Sequence, residues 1–156
     1  MCPQRLSTVK PLNRTLQGPD YTELVEYEVG ANATVANMVA GRLVIKDTVD
    51  GSVKEVPAAG ADDVIGVIEV RSGKTLADTH AVGDSITLIT HAGARVVLAT
   101  SSGSGAITQG IQLIADKHGT VSIVAGPIVA KALESVAVPG DFDRILCELI
   151  IAGDFA

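Results

Sequence analysis

The chain has 156 residues, 47% of them hydrophobic, with a formal net charge of −6, 3% aromatic residues and no tryptophan. This length suffices for one domain, or two small ones, with a buried core that needs no disulfide. The negative charge argues against a surface that neutralises phosphates, so nucleic acid is not an expected partner. A core of Val, Ile, Leu and Ala favours strands, because β-branched side chains suit a pleated surface.

Residues 1–20 form the first segment, which carries three prolines and shows neither helical nor strand periodicity. The fixed φ of proline favours an extended N-terminal arm. Its basic residues are Arg5, Lys10 and Arg14. Two interpretations stay open: a leader that is disordered or draped on the surface, and a basic arm that lies along a partner. The segment has no apolar stretch of the kind a secretory signal requires.

From residue 21 to the end, the pattern predicts a β-rich body. "YTELVEYEV" alternates from Tyr21, and a loop leads into the hairpin "GRLVIKDTVDGSVKEV" at 41–56. Three short β-branched runs follow at 64–70, 82–90 and 94–100, separated by turn residues. Short strands at such spacing predict a small sandwich or barrel.

A second hairpin, "GIQLIADKHGTVSIV" at 110–124, repeats the aspartate and the turn glycine of the first. The stretch "SSGSGAITQG" before it is interpreted as a flexible link. Each half then continues with a strand, a Gly-Asp turn (83–84 and 140–141) and a closing strand. We infer a degenerate internal duplication of residues 41–90 and 110–151.

The sequence of residues 127–137 is compatible with two secondary structures, a helix and a strand. They contain good helix formers with apolar residues at helical spacing. Their position in the repeat instead favours a strand, or a strand that ends in a turn.

No arrangement of residues predicts catalysis, a metal site or a cofactor. The three histidines, His80, His91 and His118, have no HxH or HExxH companion and are interpreted as surface residues. Cys147 lies in the apolar run "RILCELII" and is interpreted as a buried thiol, which suits a reducing compartment. Lys46 is not in the sequence context of a biotinyl or lipoyl acceptor. The chain is therefore not expected to be an enzyme, and no run approaches the roughly eighteen apolar residues that span a membrane.

At "ARVVLATSSGSGAITQGIQLIADKHGTV" the sequence resembles the small capsid-decoration, or cement, proteins of tailed viruses. The matching pieces are residues 110–121, "IVAKALES" at 128–135 and residues 139–150, with "VIGVIEV" and the turn at 83–84 in the first half. The chain departs from the family pattern in a displaced hairpin aspartate and in Ala130, which replaces a glycine.

This resemblance implies a β-barrel or β-tulip body with two quasi-repeated halves and an extended N-terminal arm. Such a protein would form a homotrimer and bind the major capsid protein on the outside of the virion, at junctions between capsid subunits. It would be made in the host cytoplasm. The resemblance makes Arg5, Lys10 and Arg14 the candidate capsid-binding residues of the arm, and the composition predicts an aliphatic subunit interface.

A different β-rich module, which binds carbohydrate or another protein as in adhesion, is the alternative. Carbohydrate binders usually present aromatic platforms. The aromatic residues offered here are Tyr21, Tyr27, Phe142 and Phe155.

Overall fold

The computed structural model describes residues 24–70 and 75–151, and this part of the chain contains ten β-strands and two short 3-10 turns. The strands of the first half are β1 (Leu24–Val29), β2 (Leu43–Lys46), β3 (Ser52–Glu55), β4 (Val64–Ile68) and β5 (Ser85–Ile89). Those of the second half are β6 (Arg95–Ala99), β7 (Gln112–Asp116), β8 (Thr120–Ser122), β9 (Ile128–Ala132) and β10 (Arg144–Leu149). The 3-10 turns are Val35–Asn37 and Lys117–Gly119. The mainly β fold class is confirmed, while the predicted arm at 1–20 lies outside the described residues.

The first half is a closed five-stranded barrel in the order β1-β3-β2-β4-β5. Strand β1 closes it by pairing in parallel with β3 and in antiparallel fashion with β5. Closure leaves no strand edge of this barrel free to pair with another chain.

The second half has the same connections in the order β6-β10-β9-β7-β8. Strand β6 pairs antiparallel with β10, as β1 does with β5. A parallel bridge between Thr100 and Val121 joins the two ends of this sheet, in the place of the β1–β3 pairing. The same irregularity recurs in both halves, because the register shifts after Val44 in β2 and after Leu113 in β7. The second half is thus a structural copy of the first.

Backbone hydrogen bonds fix how the two copies align. The N–H of Val29 donates to the carbonyl of Asp84 at 2.9 Å, and that of Thr100 donates to the carbonyl of Asp143 at 2.8 Å. Asp84 and Asp143 therefore stand at equivalent positions, just before β5 and β10.

This alignment corrects the predicted register of the Gly-Asp turns. The carboxylate of Asp84 accepts the N–H of Ala81 at 2.9 Å, and that of Asp143 accepts the N–H of Gly140 at 2.7 Å. Asp141, which follows Gly140 directly, does not make this turn contact. The sequence "GDFD" offers two aspartates, and the one three residues after the N–H donor closes the turn.

Buried side chains form two clusters. One takes residues from all five strands of the first barrel: Val29, Val44, Val53, Ile68, Ile86 and Leu88, with Met38. The larger one mixes Leu43, Ile45 and Val67 of the first half with residues such as Leu98 and Ile145 of the second. The first barrel therefore has a core of its own, and the larger cluster is a core that both halves share.

Residues 127–137 form strand β9 and then a turn, so the strand predicted from the repeat is confirmed. Burial explains the outcome, since Val129, Ala130 and Ala132 are buried between β7 and β10. The prediction of a flexible link at 101–110 is wrong. The segment is packed, because Ile107 is buried and exchanges backbone hydrogen bonds of 2.8 Å with Val136.

Candidate interaction site

The three basic residues predicted to bind a capsid, Arg5, Lys10 and Arg14, lie outside the described residues. Their role stays a prediction. Within residues 24–70 and 75–151, no group of three His, Cys, Asp or Glu side chains could hold a metal ion. In the same ranges, no helix is long and apolar enough to cross a membrane.

The interpretation of all three histidines as surface residues is wrong for His80, whose side chain is 3% exposed. Its backbone N–H donates to the carbonyl of Met38 at 3.0 Å, which ties the loop before β5 to a buried part of the first barrel. His91 is half-buried and His118 is exposed.

Cys147 is fully buried in β10, as its apolar neighbours predicted. Burial, with a contribution from the charge of Glu134, raises the pKa of the Cys147 thiol to about 12. The thiol is therefore protonated at neutral pH, and only the thiolate is a good nucleophile. This cysteine is a core residue of the second half.

The most distinctive polar group is Arg42, which is 6% exposed and lies just before β2. Its Nη1 donates to Asn37 Oδ1 at 2.9 Å and to the carbonyl oxygen of His118 at 3.0 Å. Asn37 Nδ2 also lies 3.3 Å from His118 Nδ1. Because His118 belongs to the β7–β8 hairpin, this guanidinium joins the first half to the second.

Burial and the nearby positive charge of Arg144 lower the pKa of Arg42, and Glu55 opposes them. Arginine nevertheless keeps its charge in proteins. A cation is thus held between the two halves.

The ring of Phe142 covers this cation. The Cζ atom of Arg42 lies 4.2 Å from the ring centroid, a cation–π distance. The same ring meets His118 edge-on, with centroids 6.2 Å apart and planes at 64°. Phe142 remains 44% exposed, so the ring closes the junction from outside and also faces solvent.

Two non-glycine residues of the described chain have positive φ, and both belong to this group: His118 at 62° and Phe142 at 65°. The residue equivalent to Phe142 in the first half is Gly83, with φ of 89°. An L-residue in this region costs about 1–2 kcal/mol. Backbone strain of this kind often marks a functional position. Here the strained residue Phe142 carries an aromatic ring, whereas its equivalent in the first half, Gly83, has no side chain.

We refer to Asn37, Arg42, His118 and Phe142 as the junction cluster. It holds neither a nucleophile nor a paired base, so its geometry suits contact with another molecule better than catalysis. From the sequence alone, Phe142 was one of four aromatic residues available for a sugar-binding platform, and neither Asn37 nor Arg42 was indicated. An arginine at the start of an otherwise apolar strand was the available signal.

Comparison with known proteins gives a likeness of fold. No family model matches the chain, and no curated protein matches its sequence. Among solved structures, the chain is similar to the N base of the head fiber protein gp8.5 of bacteriophage phi29. The TM-score is 0.50 with 14% sequence identity, over 81% of this chain and 94% of that one. At this identity the two proteins share a fold.

Proposed function

We propose that the protein is a capsid decoration, or cement, protein that binds the outside of a viral shell at junctions between subunits of the major capsid protein. The observation that carries this proposal is the fold likeness to the base of a phage head fiber, which extends over 81% of the chain. The family resemblance of the sequence points to the same class. In this role the protein is made in the host cytoplasm and resides on the virion surface.

A homotrimer suits this role. Three weakly binding subunits that are joined together engage a shell far more tightly than one, because the second and third contacts become intramolecular. A trimer that prefers the expanded shell stabilises that state by mass action. The basic arm, with Arg5, Lys10 and Arg14, would supply the contact with the capsid by adding an extended segment along it.

Light scattering tests the oligomer directly. A mass near three times 16.0 kDa supports the trimer, and cosedimentation with expanded and unexpanded shells then tests binding. Protein that binds neither type of shell would contradict the proposal.

Deletion of residues 1–18 tests the arm. The truncated protein should stay folded and oligomeric but lose cosedimentation with shells. A triple variant Arg5→Gln, Lys10→Gln, Arg14→Gln should act in the same direction. Lys46→Gln, Lys54→Gln and Lys117→Gln together, on the body, are its charge-matched control. Saturation of the shell by truncated protein would exclude the arm as the binding element.

The alternative function, a β-rich module for carbohydrate or another protein, is favoured by one feature, the exposed ring of Phe142 beside Arg42. Aromatic faces next to polar groups suit sugar rings. Binding on a glycan array that disappears in Phe142→Ala would support this alternative over the capsid role.

A further inference from the structure

The two halves carry different side chains on equivalent outer surfaces. In the first half, cross-strand pairs on β1 and β5 place Glu26 opposite Thr87 and Glu28 opposite Ser85. Both glutamates are exposed, and the Ser85 hydroxyl lies 3.5 Å from a carboxylate oxygen of Glu26. We call Glu26, Glu28, Ser85 and Thr87 the acidic face.

In the second half, the corresponding surface on β6 and β10 is apolar and cationic. Val97 pairs with Leu146 across the two strands, and these side chains are 42% and 37% exposed. Arg95 and Arg144 are exposed at the two ends of this pair, and Arg95 stands opposite the half-buried Glu148. We call Arg95, Val97, Arg144 and Leu146 the apolar face.

The alignment of the halves puts these faces at matching positions. Glu26 corresponds to Val97, Ser85 to Arg144, and the pair Glu26–Thr87 to the pair Val97–Leu146. The two copies thus differ on this surface: the first has two glutamates, and the second has two arginines and one glutamate around aliphatic side chains. Beside the apolar face runs a groove of about 160 Å³, lined by Leu76, Val97 and Glu69 and by both arginines of the face. Arg144 Nη2 donates to the Leu76 carbonyl there at 3.0 Å, and the other N–H groups of its guanidinium can serve a partner's carboxylate.

The composition of the apolar face is that of an interface. Buried centres of protein contacts are apolar, and arginine is enriched there. An arginine fork pairs with a carboxylate through two parallel hydrogen bonds. The chain's own acidic face offers such carboxylates in Glu26 and Glu28, exposed on a paired strand.

Contact of either face with itself is unfavourable. Two acidic faces would bring Glu26 and Glu28 against their copies, and two apolar faces would bring the arginines together. Contact between unlike faces pairs opposite charges and covers Val97 and Leu146. A contact between two different surfaces of one chain is heterologous, and it closes into a ring when the rotation permits.

We propose that copies of this chain associate head to tail, with the acidic face of one subunit against the apolar face of the next. This inference rests on the homotrimer of the proposed function and specifies its subunit contact.

Light scattering over a range of concentrations tests the aliphatic centre of the contact. Val97→Asp should weaken association at least tenfold, whereas Val138→Asp should leave it unchanged, because Val138 is 85% exposed and lies on neither face. Circular dichroism and thermal unfolding verify that both variants are folded. A Val97→Asp protein with the mass of the wild-type oligomer would overturn the head-to-tail contact and leave the trimer itself standing.

Charge reversal tests the pairing of unlike faces. Arg95→Glu with Arg144→Glu, and Glu26→Arg with Glu28→Arg, should each weaken association, since each pair gives both faces the same sign. The four substitutions together reverse both faces and should restore the oligomer. Failure to restore it in a folded protein would overturn the proposal.

Two further outcomes separate the proposals. A wild-type protein that is monomeric at every concentration and also on shells would refute the homotrimer, and with it this contact. A Val97→Asp protein that remains trimeric but no longer binds shells would assign the apolar face to the capsid contact, which contradicts the head-to-tail arrangement.

Discussion

Gly51 and Gly119 occupy the same position in the two hairpins and both have positive φ, 81° and 73°. Their surroundings differ. A Cβ atom on Gly51 would meet nothing within 4 Å, whereas one on Gly119 would lie 2.7 Å from the carbonyl oxygen of Leu43. The first glycine is needed for conformation alone, and the second also permits the two halves to approach.

We expect Gly51→Ala to lower the free energy of unfolding by about 1–2 kcal/mol, the cost of a side chain at positive φ. Gly119→Ala should lose about 2–5 kcal/mol, since overpacking adds about 1–3 kcal/mol to that cost. Urea unfolding monitored by circular dichroism measures both. Equal losses would show that the backbones do not approach closely at Gly119.

Arg42 holds the junction cluster together. Arg42→Ala leaves the Asn37 oxygen and the His118 carbonyl without this donor and should cost about 2–4 kcal/mol of unfolding free energy. Lys46→Ala, an exposed cation on the same hairpin, is the control and should stay within about 0.5 kcal/mol. A loss of that small size for Arg42→Ala would mean that the cluster contributes nothing to stability.

Single residues were predictable where their neighbours in sequence determine their environment. Cys147 alternates with Ile145 and Leu149 along β10, so its burial followed from the pattern. Arg42 and His80 were not predictable in this way. The His118 carbonyl that binds Arg42 is 76 residues away, and the backbone N–H of His80 bonds to the carbonyl of Met38, which is also distant in sequence.

At the scale of elements, the loop between β2 and β3 is tied to the segment after β1 by one carboxylate. Asp47 accepts hydrogen bonds from the backbone N–H of Asn32 at 2.9 Å, from its side-chain amide at 2.7 Å and from the N–H of Thr48 at 2.8 Å. These hydrogen bonds lower the pKa of Asp47, and the bond from the Asn32 side-chain amide has the largest effect. The hairpin loop is thereby anchored most firmly when the carboxylate is ionised.

The sign of the pH effect follows from this shift. An aspartate whose folded-state pKa lies below its unfolded value near 3.9 stabilises the protein above about pH 4, and the gain is lost as the pH falls through the folded-state pKa. Asp47→Asn should therefore be less stable than wild type at pH 6 and approach it near pH 2. Urea unfolding between pH 2 and 6 measures the difference.

Asp116→Asn is the matched control, because Asp116 holds the equivalent place in the second hairpin and accepts the N–H of adjacent Lys117 at 2.7 Å. It should change stability less than Asp47→Asn at pH 6. A constant difference between Asp47→Asn and wild type across this pH range would contradict the role of the ionised carboxylate.

Most elements could be predicted from alternation and turn residues. The strands at 64–70, 82–90 and 94–100 appear as β4, β5 and β6, because β-branched runs bounded by Gly and Asp have few other stable conformations. The register of the second Gly-Asp turn could not be predicted, since "GDFD" permits two alignments and only the hydrogen bond to Gly140 selects one.

At the scale of the whole molecule, the shared core makes the two halves interdependent. Backbone bonds cross between them, from Gly119 N–H to the Val56 carbonyl at 3.1 Å and from Gly60 N–H to the Ala115 carbonyl at 2.9 Å. The sequence predicted two similar halves, but it could not indicate which strand faces would meet. An alternating pattern marks a residue as buried without showing whether it packs within its own half or against the other half.

We expect calorimetry to give one unfolding transition whose calorimetric and van't Hoff enthalpies agree, as for a single cooperative unit. The wild-type protein should be scanned at several concentrations, so that dissociation of an oligomer is distinguished from unfolding of a half. Two transitions that do not depend on concentration would show that the halves unfold independently in spite of the core that they share.

The ring stacked on Arg42 also has an optical consequence. The chain has no tryptophan and two tyrosines, so its own fluorescence is weak. Phe142→Trp would introduce a single indole, the aromatic group that interacts best with a cation, directly above the guanidinium that joins the halves. Its emission would report the opening of this junction, or the binding of a partner to the exposed side of the ring. The weak fluorescence of the two tyrosines would interfere little with this signal.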